Sequence, residues 1–201
     1  MNILLVLPSL FQPSIELDEE KKREVELIEA AKANPEAFAP LYERYAYQVY
    51  CYTRTHVHSE EDAADLTQQT FLHALRALPR YQLRGIPFIA WLFRIALYTI
   101  RQKQRKERGT VSWDLLPEIL HSKDELGPEG ALLAQERLKR VEDLLVRLKH
   151  SQREMLALRF AAGLRSSEIA AVLGKSQAAV KKQLSRILHT LKEGYRQDEE
   201  I

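Results

Sequence analysis

Cysteine, glycine and long apolar runs are scarce in this sequence. A single cysteine, Cys51, excludes an internal disulfide, and there is no Cys/His cluster of the kind that holds zinc. Only 7 Gly and 8 Pro occur in 201 residues, and helix formers fill the long stretches between them. The apolar segment 1–7 lacks a basic flank and is followed by Pro8, so we expect neither a signal peptide nor a membrane-spanning helix. These absences favour an all-α protein of a reducing cytoplasm, without metal, other cofactor or membrane insertion.

The net charge of +2 conceals an uneven distribution along the chain. Basic residues outnumber acidic ones by 11 to 3 from Leu144 to Arg196 and by 5 to 1 from Arg101 to Arg108. The segments Glu60–Asp65 and Asp114–Glu129 each have a formal charge of −4. A basic segment is often only a solvated helix face. Two of them, separated by acidic segments, favour a polyanion that is contacted at two places.

Cap and turn signals divide the chain into two small helical domains joined by a flexible linker. Asn34-Pro35 is typical of a helix start, whereas Pro117, Gly127 and Pro128 interrupt helical patterning. The predicted division is an N-terminal extension with a charged helix (1–34), a first domain (35–108), a linker (109–134), a second domain (135–196) and an acidic tail (197–201). The predicted fold class is therefore all-α.

A short apolar helix, a glycine and a basic amphipathic helix follow one another between Ser166 and Leu191. Gly174 can adopt the positive φ of a turn, and Ser176 can cap the second helix. In that helix, apolar residues at Val180, Leu184, Ile187, Leu188 and Leu191 form one stripe. The other face carries Gln177, Lys181, Lys182, Ser185, Arg186 and His189, which are residue types suited to phosphates and base edges. A plain surface helix would also be amphipathic, but the combination favours a DNA-binding helix-turn-helix.

An acidic helix is predicted from Ser59 to about Leu78, beginning at the capping sequence Ser59-Glu60-Glu61-Asp62. We expect its buried side to contain Ala64, Phe71, Leu75 and Leu78. The opposite side would contain Asp62, Asp65, Gln69 and Arg76, with Gln68 and Leu72 beside them. That surface is either a protein-contact patch or an ordinary solvated face with one exposed leucine.

The segment Pro87–Arg108 predicts a helix that is apolar and aromatic in its first half and basic in its second. Packing at the centre of a helical domain would explain most of its apolar residues. Aromatic side chains at its edge, next to cations, would also form a stacking platform for unpaired bases. The preceding loop, with Arg80, Tyr81, Gln82 and Arg84, could reach the same strand. The pattern leaves both uses open.

These segments together resemble the sigma-70 family, specifically its compact extracytoplasmic-function (ECF) group. The sequence Asp62-Ala-Ala-Asp-Leu-Thr-Gln-Gln-Thr-Phe-Leu72, followed by Ala74-Leu75, is similar to the family signature DA.DL.Q..FL.A. Phe88–Ala96 is similar to F.AWLFRIA, and Leu158–Lys181 resembles the promoter-binding segment near the family's C-terminus. The resemblance covers roughly residues 38–106 and 135–192.

The resemblance implies a sigma factor, not an enzyme, that binds core RNA polymerase and directs promoter-specific initiation. The two domains would be regions 2 and 4, and the partners would be the clamp helices and flap of the polymerase, promoter DNA and an anti-sigma factor, with no small-molecule substrate. The implied polymerase-binding residues are Asp62, Asp65, Gln68, Gln69 and Leu72. The implied contacts to the −10 element are Arg80, Tyr81, Gln82, Arg84, Trp91, Tyr98, Arg101 and Arg105. The implied contacts to the −35 element are Arg165, Ser167, Gln177, Lys181, Lys182, Ser185 and Arg186.

Two positions depart from the family pattern. Gln69 stands where the family usually has Glu or Asp, and Tyr98 stands where Asn is common, so we expect a docking patch that is one charge weaker and an unusual −10 preference. Two other functions fit the same residues. One is a one-component helix-turn-helix regulator, which would need an effector pocket and usually dimerises. The other is a sigma-like decoy that binds polymerase or an anti-sigma factor without initiating transcription.

Overall fold

A computed structural model of the chain describes residues 14–83, 85–107 and 139–197, with side chains for 19–83, 85–106 and 139–196. Helices and short turns account for these residues, and none of them lies in a β-strand. The predicted all-α fold class is confirmed. The predicted linker, most of segment 1–17 and all of the predicted tail except Gln197, the last residue of the final helix, lie outside the described residues.

Eight helices follow one another in the described ranges. They are α1 Ser14–Ala33, α2 Ala39–Arg54, α3 Glu60–Ala77, α4 Phe88–Glu107, α5 over residues 139–146, α6 His150–Leu156, α7 Ser166–Leu173 and α8 Gln177–Gln197. Short 3₁₀ turns, Pro35–Phe38 and Leu78–Arg80, flank α2 and α3, and a π-helical turn, Ala157–Ala161, continues α6.

Side-chain caps start three of these helical segments where the sequence predicts them. The Asn34 side chain accepts a hydrogen bond from the Glu36 amide at 3.0 Å, and Ser59 Oγ accepts one from the Asp62 amide at 3.0 Å. Ser176 Oγ accepts from the Ala179 amide at 3.2 Å, at the start of α8. Each cap satisfies an amide that would otherwise have no intrahelical partner.

The buried side of α3 differs from the predicted one. Phe71 and Leu78 are buried, but Ala64 and Leu75 are only half-buried. The core-facing positions also include Ala63, Leu66, Thr67, Thr70 and Ala74. The two threonines can enter the core because each hydroxyl donates to a carbonyl of its own helix at 2.7 Å, Thr67 to Ala63 and Thr70 to Leu66.

Helix α4 lies at the centre of the first group of helices, as its apolar first half suggests. Phe88, Leu92 and Phe93 are at most 1% exposed. The Phe93 ring packs edge-on against Tyr52 of α2, with centroids 5.3 Å apart, and Phe88 contacts Tyr45 at 5.7 Å. The central-helix interpretation therefore holds for these residues.

The second group, α5–α8, packs directly against the first. Helix α7 contacts α4, and the π-helical turn contacts α2. Buried side chains of both groups form one continuous apolar cluster, which includes Val49 and Leu92 on one side and Leu158 and Val172 on the other. The functional surfaces described next lie on the outside of this common core.

Candidate nucleic-acid and protein interfaces

Helix α8 presents the basic face that its spacing predicts. Val180, Leu184 and Ile187 are at most 7% exposed and fix the orientation of the helix. The five side chains predicted to contact DNA from this helix, Gln177, Lys181, Lys182, Ser185 and Arg186, are all exposed. Leu188, which we expected in the apolar stripe, is 45% exposed, because it lies at the edge of the stripe next to Lys181, whereas Leu191 further along the helix still packs against the core.

The turn before α8 has the predicted helix-turn-helix geometry. Gly174 adopts φ 66° and ψ 35°, the left-handed conformation that ends α7. The Lys175 amide donates to the Ala170 carbonyl at 2.9 Å, which closes the turn. At the other end of α7, Arg165 and Ser167 are exposed, and the Arg165 amide donates to Glu168 Oε2 at 2.7 Å. All seven predicted −35 residues thus lie on α8 or at the start of α7.

A second cationic surface runs along α4. Tyr98, Arg101 and Arg105 are exposed, and Tyr98 is 57% exposed. Together with Leu97, Gln102 and Val172 of α7 they line a shallow groove. The Gln102 side chain donates to the Tyr98 hydroxyl at 2.6 Å and so orients the ring.

Sequence reasoning missed Arg94, which lines the same groove. Arg94, Tyr98, Arg101 and Arg105 are spaced i, i+4, i+7 and i+11, so one face of α4 carries all four. That spacing was available from the sequence, but the surrounding apolar residues obscured it.

The loop between α3 and α4 is anchored by a buried tyrosine. Tyr81 is 6% exposed, its ring centroid lies 4.8 Å from that of Trp91, and its hydroxyl donates to the Ile86 carbonyl at 2.9 Å. Burial and the charge of Glu24 raise the pKa of Tyr81 to about 12, so the hydroxyl stays protonated as a donor. Arg80 and Gln82 are exposed on either side, Trp91 is half-buried, and Arg84 lies outside the described residues. Tyr81 is thus buried beneath the loop, where it packs against Trp91, and does not lie on the exposed surface of the loop.

The exposed face of α3 brings together four of the five predicted polymerase-binding residues. Asp65, Gln68 and Gln69 are exposed, and Leu72 beside them is 45% exposed. We call these four side chains the α3 patch.

Asp62, the fifth residue, is instead oriented toward the basic half of α4. Its carboxylate accepts a hydrogen bond from Lys103 Nζ at 2.7 Å and another from Ser59 Oγ at 2.8 Å. These two hydrogen bonds hold the pKa of Asp62 below its usual range. Asp62 therefore connects the edge of the α3 patch to the basic end of α4.

Comparison with known proteins assigns both halves of the chain. Residues 41–110 match the family described as Sigma-70 region 2, and residues 138–191 match Sigma-70, region 4. The ECF RNA polymerase sigma factor SigD of Mycobacterium tuberculosis is 32% identical over 188 residues, which cover 90% of this chain and 87% of SigD. BldN of Streptomyces coelicolor, another ECF sigma factor, is 33% identical over 175 residues, and the match spans 87% of this chain and 66% of BldN. The chain belongs to the ECF sigma factors.

ECF sigma factors are transcription initiation factors, not catalysts. Among solved structures, this one is similar to CnrH in its complex with the cytosolic domain of CnrY, with a TM-score of 0.57 and 29% identity over 83% of this chain and 93% of that one. In this sigma factor, the region 2 match covers α3, α4 and all but the first two residues of α2, and the region 4 match covers α6 and α7.

Region 4 of the sigma factor contacts the cationic face of region 2. The Arg94 guanidinium donates to the Ala171 carbonyl of α7 from Nε at 2.9 Å and from one terminal nitrogen at 2.5 Å. One member of the α4 face is thereby engaged by region 4, whereas the basic face of α8 is exposed. Within the described ranges, no helix is long and apolar enough to cross a membrane, and no three His, Cys, Asp or Glu side chains are grouped to hold a metal.

Proposed function

We propose that this sigma factor binds core RNA polymerase in the cytoplasm and directs initiation at promoters by contacting both the −10 and the −35 elements, without catalysing a reaction itself. The observation that carries this proposal is the pair of exposed cationic helix faces, one on α4 and one on α8, in a chain whose α3 patch is available to a protein. The proposed division of the chain is region 2 over 35–108, a linker over 109–134 and region 4 over 135–196.

Helix α8 is proposed to occupy the major groove of the −35 element. Lys181, Lys182 and Arg186 can contact phosphates or guanine edges, and Gln177 and Ser185 can hydrogen-bond bases. Arg165 and Ser167 would contact the flanking phosphates from the start of α7. Each base contact contributes about 1–3 kcal/mol of discrimination, and the phosphate contacts make the affinity fall steeply with salt.

The α4 face and the preceding loop are proposed to hold the melted −10 element. Tyr98, which is exposed, offers a ring on which an unpaired base can stack, and Arg101 and Arg105 extend along the backbone of the same strand. Trp91 would contribute the edge of its ring, and Arg80, Gln82 and Arg84 would contact the strand from the loop. Tyr81 would act from within by supporting Trp91. No catalytic residue is needed, because captured bases stabilise the open strand.

The α3 patch is proposed to dock on the clamp helices of the polymerase's largest subunit, and region 4 on its flap. An exposed leucine beside a carboxylate and two amides suits a contact with a partly apolar, partly basic helical surface. CnrH is found with the cytosolic domain of CnrY. By similarity, we propose that an anti-sigma factor binds this sigma factor too.

Reconstituted run-off transcription with core polymerase tests this function. We expect Lys181→Ala with Arg186→Ala to abolish transcripts from a −35-dependent promoter while binding to core polymerase is retained. Asp65→Ala with Gln68→Ala should instead weaken polymerase binding first. The matched control, Lys139→Ala with Arg147→Ala, removes two exposed cations of region 4 that lie outside α7 and α8 and should leave both activities intact.

The outcome also separates the alternatives. Tight binding to core polymerase without any transcript from a genomic promoter library would identify a decoy. A stable dimer that binds DNA but not polymerase would identify a one-component regulator. Equal loss of polymerase binding in the α8 double variant would contradict the role assigned to α8.

A further inference from the structure

A polar cluster is buried where region 4 meets region 2. Tyr52 lies on α2, His56 follows the end of that helix, and Glu154 lies on α6, about a hundred residues away in sequence. The three residues are 0%, 2% and 3% exposed, respectively. The Tyr52 hydroxyl donates to Glu154 Oε1, and His56 Nε2 lies 3.2 Å from Glu154 Oε2. Each of the two carboxylate oxygens of Glu154, in region 4, thus has a hydrogen-bond partner in region 2.

The hydrogen-bond geometry makes His56 and Glu154 an acid–base pair within the cluster. His56 Nδ1 lies 2.9 Å from the Tyr52 carbonyl, which can only accept, and Nε2 faces the carboxylate. Burial alone would raise the pKa of Glu154. The charge of His56 and the hydrogen bonds from His56 and Tyr52 outweigh burial and hold this pKa below its usual range. The closed interface therefore favours the ionised form of Glu154.

A buried ion pair is a suitable contact for an interface that must open. Well-packed apolar side chains of similar volume would hold the two halves together at least as well. They would, however, add to the apolar surface that the shared cluster already exposes on separation, whereas a carboxylate, an imidazole and a phenol are readily hydrated. Loss of one member of the pair destabilises the closed interface, because the remaining charge stays buried without its partner.

The same interface engages one cation of the proposed −10 face. Arg94 donates to the Ala171 carbonyl across the contact between α4 and α7. The side chains of α8 proposed for the −35 element are exposed at the same time. Region 4 thus covers part of the α4 face, while its own basic face on α8 stays exposed.

We propose that Tyr52, His56 and Glu154 form a polar latch that holds region 4 on region 2 in the free protein and opens when the two regions engage core polymerase and promoter separately, which frees Arg94. The opening step rests on the proposed function. The closed state of the isolated chain does not.

Energy transfer between two labels on the isolated full chain tests the latch. The labels are placed at Arg76→Cys on α3 and His189→Cys on α8, both exposed, in a Cys51→Ser background. We expect one short-distance population, and Glu154→Ala should increase the open-to-closed ratio about a hundredfold, as expected for a broken buried pair.

Tyr52→Phe is the second variant, because it removes only the hydroxyl and keeps the ring in the core. It should increase the open-to-closed ratio about tenfold, since one hydrogen bond to a charged group is lost. Glu43→Ala on the exposed face of α2 is the matched control and should change nothing. If both latch variants keep the wild-type distances and helical circular dichroism, the latch is disproved.

Addition of core polymerase separates the two proposals. Co-migration with polymerase together with a longer label distance supports both. Co-migration at an unchanged distance overturns the opening of the latch but leaves the sigma-factor function intact. Failure to co-migrate overturns the proposed function, and the variant distances measured without polymerase still decide whether the latch exists.

Discussion

At the residue scale, Asp62 has a different environment from its neighbours on α3. Its carboxylate is held by Lys103 and Ser59, whereas Asp65 one turn later is exposed beside Gln68 and Gln69. The ion pair is itself partly exposed, so it contributes little to stability. Its main effect is to orient Lys103 at the basic end of α4.

This difference predicts different behaviour for two chemically identical substitutions. Asp65→Asn should weaken binding to core polymerase, because the charge is exposed on the α3 patch. Asp62→Asn should leave that affinity within about twofold, since exposed pairs contribute at most about 1 kcal/mol. Binding measured by fluorescence anisotropy at fixed salt compares the two variants. A larger loss for Asp62→Asn would return Asp62 to the polymerase-binding set.

The buried threonines show a limit of pattern analysis at this scale. Thr67 and Thr70 occupy core positions of α3, whereas sequence spacing placed Ala64 and Leu75 there. A threonine is counted as polar in an amphipathic pattern, yet it can be buried once its hydroxyl donates within its own helix. The predicted buried side of α3 was rotated by about one position. Asp65, Gln69 and Leu72 nevertheless remain on the exposed side, as predicted.

At the element scale, α8 is the part that sequence predicted best. Its cap at Ser176, its buried Val180, Leu184 and Ile187 and its basic face all follow from local spacing. Contacts between elements could not be predicted in this way. The approach of α7 to α4 and the partners of Glu154 depend on residues about 80 to 100 positions apart, which no periodicity connects.

The turn between α7 and α8 gives a prediction for the helix-turn-helix. A Cβ added at Gly174 would meet nothing within 4 Å, so Gly174→Ala introduces backbone strain alone. The left-handed conformation should cost about 1–2 kcal/mol with alanine. Asparagine tolerates this conformation better, so Gly174→Asn is the matched control and should cost less. Thermal unfolding of the full chain compares the three proteins, and equal midpoints for alanine and glycine would contradict the assigned turn.

At the scale of the whole molecule, the contact between regions should depend on pH through Glu154. Its pKa is lowered from 4.5, so the closed arrangement favours the ionised carboxylate. This contribution is fully present above the ordinary glutamate pKa and is lost as the pH falls through the lowered value.

We therefore expect the labelled chain to open progressively in acid, below the ordinary glutamate pKa. Glu154→Gln keeps the size of the side chain but cannot ionise, so the difference between the two proteins isolates this carboxylate from other acidic groups. Energy transfer recorded from about pH 6 to about pH 3 checks the prediction. Parallel curves for wild type and Glu154→Gln would mean that Glu154 does not govern the opening.

The uncovered basic side of α8 has a kinetic consequence. Electrostatic attraction to duplex phosphates requires no rearrangement of the chain, so encounter and sliding along DNA can begin through this helix alone. Under the proposed latch, strand separation would wait until Arg94 leaves its carbonyl acceptor. Promoter search and promoter melting would then be ordered in time, and the rate at which regions 2 and 4 separate would set the delay.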